Sequence, residues 1–215
     1  MAAFAAVLAV TSMLLYPGGT VINSDTRGYS LTQNFLSDLG TTVAFDGRPN
    51  MSGALLFMMS VALVGVASVE CLRGFLRLHV GVARAHGLAR AATVLGSIVC
   101  LAFLGVALAP ENRAMSLHVQ LTLLAFRLAP LVVLLLALAA RADRGLPGCI
   151  PAVWMGLTLI LTAYVIELAV GPSPSTPHGL LVQVLVQKAV VLSSTVAIVV
   201  QSAAADRVIS TSRAT

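Results

Sequence analysis

Five long apolar runs, at about residues 51–72, 87–109, 117–140, 151–171 and 178–204, govern what this chain can become. Each is about 18 residues or more, the length an α-helix needs to cross the hydrocarbon core of a bilayer. Inside lipid, backbone polar groups are satisfied only within a helix or a closed barrel. The runs therefore predict an all-α polytopic membrane protein. A sixth run, residues 2–16, is shorter. It lacks a basic start and a small-residue cleavage site, so it does not read as a signal peptide. We read it as a first spanning helix that stops at Pro17-Gly18-Gly19, with an alternative start for the chain left open. The expectation is one domain, residues 1–215, folded as a six-transmembrane-helix bundle.

Composition removes the soluble alternatives. The chain is 58% hydrophobic and 10% charged, against about a quarter charged in globular proteins. A net charge of +5 would suggest nucleic acid in a soluble domain. Here the basic residues sit in short connections. Arg73, Arg77, Arg84 and Arg90 lie between the second and third runs, Arg141 and Arg144 between the fourth and fifth, and Arg207 and Arg213 in the tail. The other connections hold fewer basic residues and more acids. The positive-inside rule then predicts a cell-membrane protein with both termini cytoplasmic and no nucleic-acid partner. Cys71, Cys100 and Cys149 are widely spaced and match no metal motif, and no structural disulfide is expected.

Punctuation supports the helix ends. Pro110 closes the third helix and Pro151 fits the first turn of the fifth. Thr176 is placed to cap the sixth, with Pro177 at its first position. Ala92 and Gly96 form a small-xxx-small pair suited to close helix packing.

Between the first two runs, Tyr29–Gly40 alternates polar and apolar residues at helical spacing. It predicts a short amphipathic extracytoplasmic helix at the membrane surface. Asn34 and Asp38, four apart, share a face, with Ser37 beside them and Leu31, Phe35 and Leu39 adjoining. Gly40 suits a C-terminal stop.

Several polar residues lie where lipid penalises them. Arg127 and Lys188 each fall ten residues into their runs, about 15 Å deep. Glu167 lies about one turn from the outer end of the fifth. A charge at mid-bilayer costs roughly 2.5–3.5 kcal/mol on insertion scales. Two arrangements fit: a buried ion pair of Glu167 with Arg127 or Lys188, or a polar pocket open to the outer side. Two cations against one acid suit an anionic group, such as a lipid phosphate or a carboxylate. Pro130 removes a backbone donor beside Arg127 and predicts a kink there; it is also ordinary in spanning helices. Gln183 and Gln187 share a face of the sixth helix, for interhelical bonds or the same pocket. His118 and His178 open the fourth and sixth helices and, with Asp38, form a candidate zinc set, although helix-end histidines more often bond to loops. His79 and His86 read as surface residues of a basic loop.

The pattern resembles a prokaryotic six-helix membrane protein family catalogued only as a domain of unknown function. The match rests on Gly28-Tyr29-Ser30, on Leu36-Ser37-Asp38-Leu39-Gly40, and on the histidine that opens the fourth helix. That family tends to carry Glu-Arg in the sixth helix after Gly-Leu. Here Gly179-Leu180 is followed by Gln187-Lys188, which keeps the cation and loses the acid. The resemblance implies a fold and no activity. A slighter similarity is to the ceramidase and adiponectin-receptor superfamily of membrane hydrolases, which use Ser, Asp and three His around zinc. Ser37, Asp38, His118 and His178 match in type; a third outer histidine and a seventh helix are missing.

The leading expectation is an outward-facing polar pocket for a lipid headgroup or small anion. Asn34 and Asp38 form its lid, His118 and His178 its rim, and Arg127, Glu167, Gln187 and Lys188 its floor. The alternatives are a metal-dependent hydrolase acting on membrane lipids, with zinc at Asp38, His118 and His178, and a structural or interaction subunit without ligand.

Overall fold

The chain forms an all-α bundle of six helices: α1 (Ala2–Leu15), α2 (Met51–Leu78), α3 (Ala83–Leu108), α4 (Glu111–Ala142), α5 (Cys149–Val170) and α6 (Pro177–Ala214). The structure is a computed structural model that describes residues 1–143 and 145–214, with side chains as far as residue 201. Arg144 and the side chains of Arg207 and Arg213, on which part of the expected orientation rests, lie outside the described residues.

Helices α2 to α5 and the stretch Pro177–Gln201 of α6 are long and apolar enough to cross a membrane. This is a multi-pass membrane protein. Helix α1 has 14 residues, about 21 Å of rise, which is short of a hydrocarbon core about 30 Å thick. It is secured sideways instead. The Ser12 hydroxyl donates to the Gly53 carbonyl and the Ser60 hydroxyl to the Ala5 carbonyl, each at 2.8 Å. Such bonds hold apolar helices together where water offers no competing partner.

Consecutive helices pack side by side. Their shared core contains Phe126, Trp154 and Tyr164 among many alanines, valines and leucines. Phe126 meets Phe103 and Tyr164 edge-on, at 5.2 and 4.8 Å between ring centres. Helix α3 lets its neighbours approach through Ala85, Ala89, Ala92 and Gly96, all buried. A side chain at Gly96 would start 2.5 Å from the Leu72 methyl and 3.3 Å from Val132. The expected small-residue pair is thus a three-helix contact.

Three local expectations are corrected. Helix α4 begins at Glu111, and its one non-helical residue is Ala114 (φ −141°, ψ 46°). The break therefore follows the α3–α4 turn, and the dihedrals around Pro130 stay helical. His79 is fully buried, its ring against Phe75 and its Nδ1 2.8 Å from an Asp143 carboxylate oxygen. It joins the α2–α3 and α4–α5 connections at the uncapped end of the bundle. Residues 29–40 contain no α-helix: a turn precedes a single 3-10 turn at Leu36–Gly40.

Residues 17–50 form a folded cap at the other end. A hairpin pairs β1 (Gly18–Thr20) with β2 (Asn23–Arg27), and Val43 bridges to Pro49. At Gly19 (φ +80°) a Cβ would lie 2.3 Å from the Asp46 nitrogen, so only glycine fits this crossing of chains. Leu39 is sealed beneath the cap with Tyr16 and Ala44, against Met13, Tyr29 and Phe57.

Gly96→Val should lower the unfolding temperature in detergent, at a cost of about 1–3 kcal/mol for overpacking. Gly65→Val, whose new side chain would start in open space, should leave it close to wild type. Equal melting of the two variants would contradict the packing described.

Candidate functional site

Asn34 and Asp38 share a face as their spacing implies, but through turns and not along an α-helix. Asn34 is 0% exposed and Asp38 2%. The Asn34 amide donates to an Asp38 carboxylate oxygen at 2.8 Å and to the Gly19 carbonyl at 2.9 Å. Its own oxygen accepts the Ser30 N–H at 2.9 Å. Asp38, third in its turn, reaches back to accept the Phe35 N–H at 3.0 Å, as the acid of a capping box does. Asn34 thus binds the hairpin to the 3-10 turn, whose polar side faces protein. Leu31 is left exposed.

Helix α6 completes the cluster. Lys188 Nζ donates to the Asn34 carbonyl at 2.6 Å and lies 5.3 Å from the centre of the Tyr29 ring, a cation–π distance. The Tyr29 hydroxyl donates to the Asn34 and Phe35 carbonyls at 3.1 and 3.2 Å. The Gln187 oxygen accepts the Leu36 N–H at 2.9 Å. Lys188 stands eleven residues past Pro177, about 16 Å along the helix. The cap therefore dips into the bundle to meet it.

Burial shapes the protonation of the cluster. Removal from water pushes the Asp38 carboxyl from its ordinary 3.8 up to about 7. The Asn34 hydrogen bond opposes this, the Glu111 charge adds to it, and the Phe35 N–H and Lys188 oppose it more weakly. Burial, then the Asp38 charge, holds the Tyr29 phenol above its ordinary value, so it remains a donor.

The other expected members lie elsewhere. His118 is buried one turn beyond the Ala114 break, its Nδ1 donating to the Ala109 carbonyl at 2.8 Å. It clasps the α3–α4 turn. His178 is exposed at the start of α6. Among the described residues no three His, Cys, Asp or Glu gather as a metal set, so Asp38, His118 and His178 do not converge. Arg127 is exposed on α4, and Glu167 keeps both carboxylate oxygens buried without a hydrogen bond. The expected ion pair of Glu167 with Arg127 or Lys188 is absent; the described pairs are Arg48–Asp46, Arg73–Glu70 and His79–Asp143. Gln183 donates to the Pro172 carbonyl at 2.7 Å, and Thr176 caps α6 by accepting the Gly179 N–H at 3.1 Å.

Two hollows open in the cap region. One, of about 480 Å³, is lined by Asp25, Arg27, Asp46 and Arg48. The other, of about 310 Å³, lies between Phe45 and Glu111. Neither is lined by Asn34, Asp38 or Lys188. The expected floor, lid and rim thus do not enclose one space.

Sequence reasoning missed Asn50. It is buried, and its amide donates to the Leu39 and Thr41 carbonyls at 3.1 and 2.9 Å, fastening the turn to α2. Its signal was an asparagine standing immediately before an apolar run. Asn112 and Arg113 were also overlooked; both bond to Thr42 and fix the cap to α4. No family model, curated protein or solved structure matches this chain.

Asn34→Ala leaves the Gly19 carbonyl and the Ser30 N–H without partners, and should destabilise the protein by about 2–4 kcal/mol. Ser37→Ala, at a half-buried hydroxyl without a hydrogen bond among those described, should stay within about 0.5 kcal/mol. Chemical denaturation of both variants checks this contrast.

A carboxyl raised on folding binds its proton more tightly in the native state. Its contribution is therefore complete below about pH 4 and is lost as pH rises through about 7. Thermal stability should fall across that window, and Asp38→Asn should flatten the fall. A wild-type profile that rises over the same range would contradict the burial of a neutral acid.

Proposed function

We propose that this chain is a structural or interaction subunit of the cell membrane, with six spans, the short α1 crossing where the bilayer thins to meet it, cytoplasmic termini and an extracytoplasmic cap locked to the bundle. One observation carries the reading. The polar groups of Asn34, Asp38, Gln187 and Lys188 are directed at the cap's own backbone and at each other, and border neither hollow. A lid over a ligand would keep some of those groups free. The orientation draws on Arg73, Arg77, Arg84, Arg90 and Arg141 at the uncapped end, against Arg27, Arg48 and Arg113 at the capped end.

A lipid headgroup or small anion as ligand keeps one foothold, the cleft containing Arg27 and Arg48. Asp25 and Asp46 balance those charges, and Arg48 already bonds Asp46, so the cleft favours an anion little. Among the described residues the zinc hydrolase finds no convergent ligand set.

Lipid extracted from purified wild type and from Lys188→Met should be the same in identity and amount. Loss of one stoichiometric lipid from the variant would restore the headgroup pocket. An impermeant maleimide applied to intact cells should label Leu31→Cys and spare Gly81→Cys until the membrane is opened. The opposite pattern would invert the topology.

A further inference from the structure

Helix α4 carries an exposed seam with a repeat of seven. Leu117, Leu124, Leu131 and Leu138 face outward, and Gln120 and Arg127 stand three residues after the first two of them, also exposed. Seven-residue spacing keeps one stripe facing a partner helix over its whole length. Arg127 lies thirteen residues past the Ala114 break and fifteen before Ala142, about 20 and 22 Å from the two ends. It is at the middle of the span, too far from either interface to snorkel. Among the described residues it makes no hydrogen bond or ion pair. An arginine in that position is costly unless a partner answers it.

We propose that this seam docks a spanning helix of a different protein, one that carries a carboxylate at mid-membrane depth. Charge selects the occupant. A second copy related by a two-fold axis would set Arg127 against Arg127. Nor, among the described residues, does this chain turn an acid outward at that depth; Asp38 is buried within the cap. Glu167 is three residues from the end of α5, and Glu70, eight from the end of α2, already pairs with Arg73. A carboxylate accepts two N–H groups of the guanidinium side by side, and Gln120, about two turns away on the same stripe, adds a second polar contact. Because Arg127 is central, the partner helix satisfies the match in either direction.

This inference rests on the interaction-subunit reading and can fail separately from it. The test uses the full chain in phosphatidylcholine vesicles, with an acceptor dye on the exposed Cys149. The probe is a donor-labelled synthetic spanning peptide of leucine and alanine with one central aspartate. Energy transfer should show association about tenfold tighter than for the same peptide with leucine at the centre. Arg127→Leu, which removes only a lipid-facing charge, should abolish the difference, and so should moving the aspartate seven residues off centre. Leu124→Trp keeps the charge, obstructs the seam and should also weaken association. Equal binding of the two peptides, or a preference that survives Arg127→Leu, overturns the proposal. So does self-association of the wild type that Arg127→Leu removes, since a second copy would then be the occupant. If the peptides fail while copurifying lipid is unchanged in Lys188→Met, only the seam is lost. If that variant loses a stoichiometric lipid, the subunit reading falls whatever the peptides show.

Discussion

A carboxylic acid taken out of water must find donors or keep its proton. Asp38 does some of each, and the capped half of the molecule is arranged around that requirement. Its oxygen collects the Asn34 amide and the Phe35 N–H, which closes the 3-10 turn. Asn34 in turn reaches the hairpin at Gly19, and its carbonyl receives Lys188 from α6. The buried acid thereby holds the loop to itself and positions Asn34, which ties it to the hairpin and to the last helix. Hydrogen bonds in such a chain support one another, and a partly satisfied set would be worse than none.

The ionisable groups within the helices are accommodated in different ways. Lys188 turns inward and ends on a backbone carbonyl and a tyrosine face. His79 meets Asp143 at the uncapped end, where two connections come together. Glu167 is half-buried, its two carboxylate oxygens shielded and without a donor, close against Gly171. Arg127 turns outward. The expectation of a common interior space fails because helix rotation, not depth, decides which groups meet. Arg127 follows the buried pair Ala125 and Phe126 and is carried to the opposite face.

Much of the fold could be read from the chain. Apolar run length located every helix, because lipid leaves the backbone no other choice, and Thr176, Pro177, Ala92 and Gly96 did what their chemistry implied. The four-residue spacing of Asn34 and Asp38 correctly brought them together, yet it suggested the wrong backbone. Helical periodicity over twelve residues also describes two successive turns whose polar side chains bond locally. The hairpin went unseen because Pro17-Gly18-Gly19 was read only as a helix stop, and of the β-branched Thr20, Val21 and Ile22 beside it only Thr20 lies in a strand, the other two forming the turn. Histidines misled in both directions. His79 sits in a basic loop but is buried by Phe75 and Asp143, while His178, placed to line a rim, faces outward. Nothing in their spacing encodes these partners, which lie dozens of residues away.

The cap is part of the folded core and not a mobile cover. Amide hydrogen exchange of the wild type in detergent micelles tests this most directly, at Phe35 and Leu36. Their N–H groups are held by Asp38 and Gln187. Both should exchange as slowly as amides in the middle of α4 and open only with the bundle. Exchange within seconds, at the rate of an unstructured loop, would contradict it.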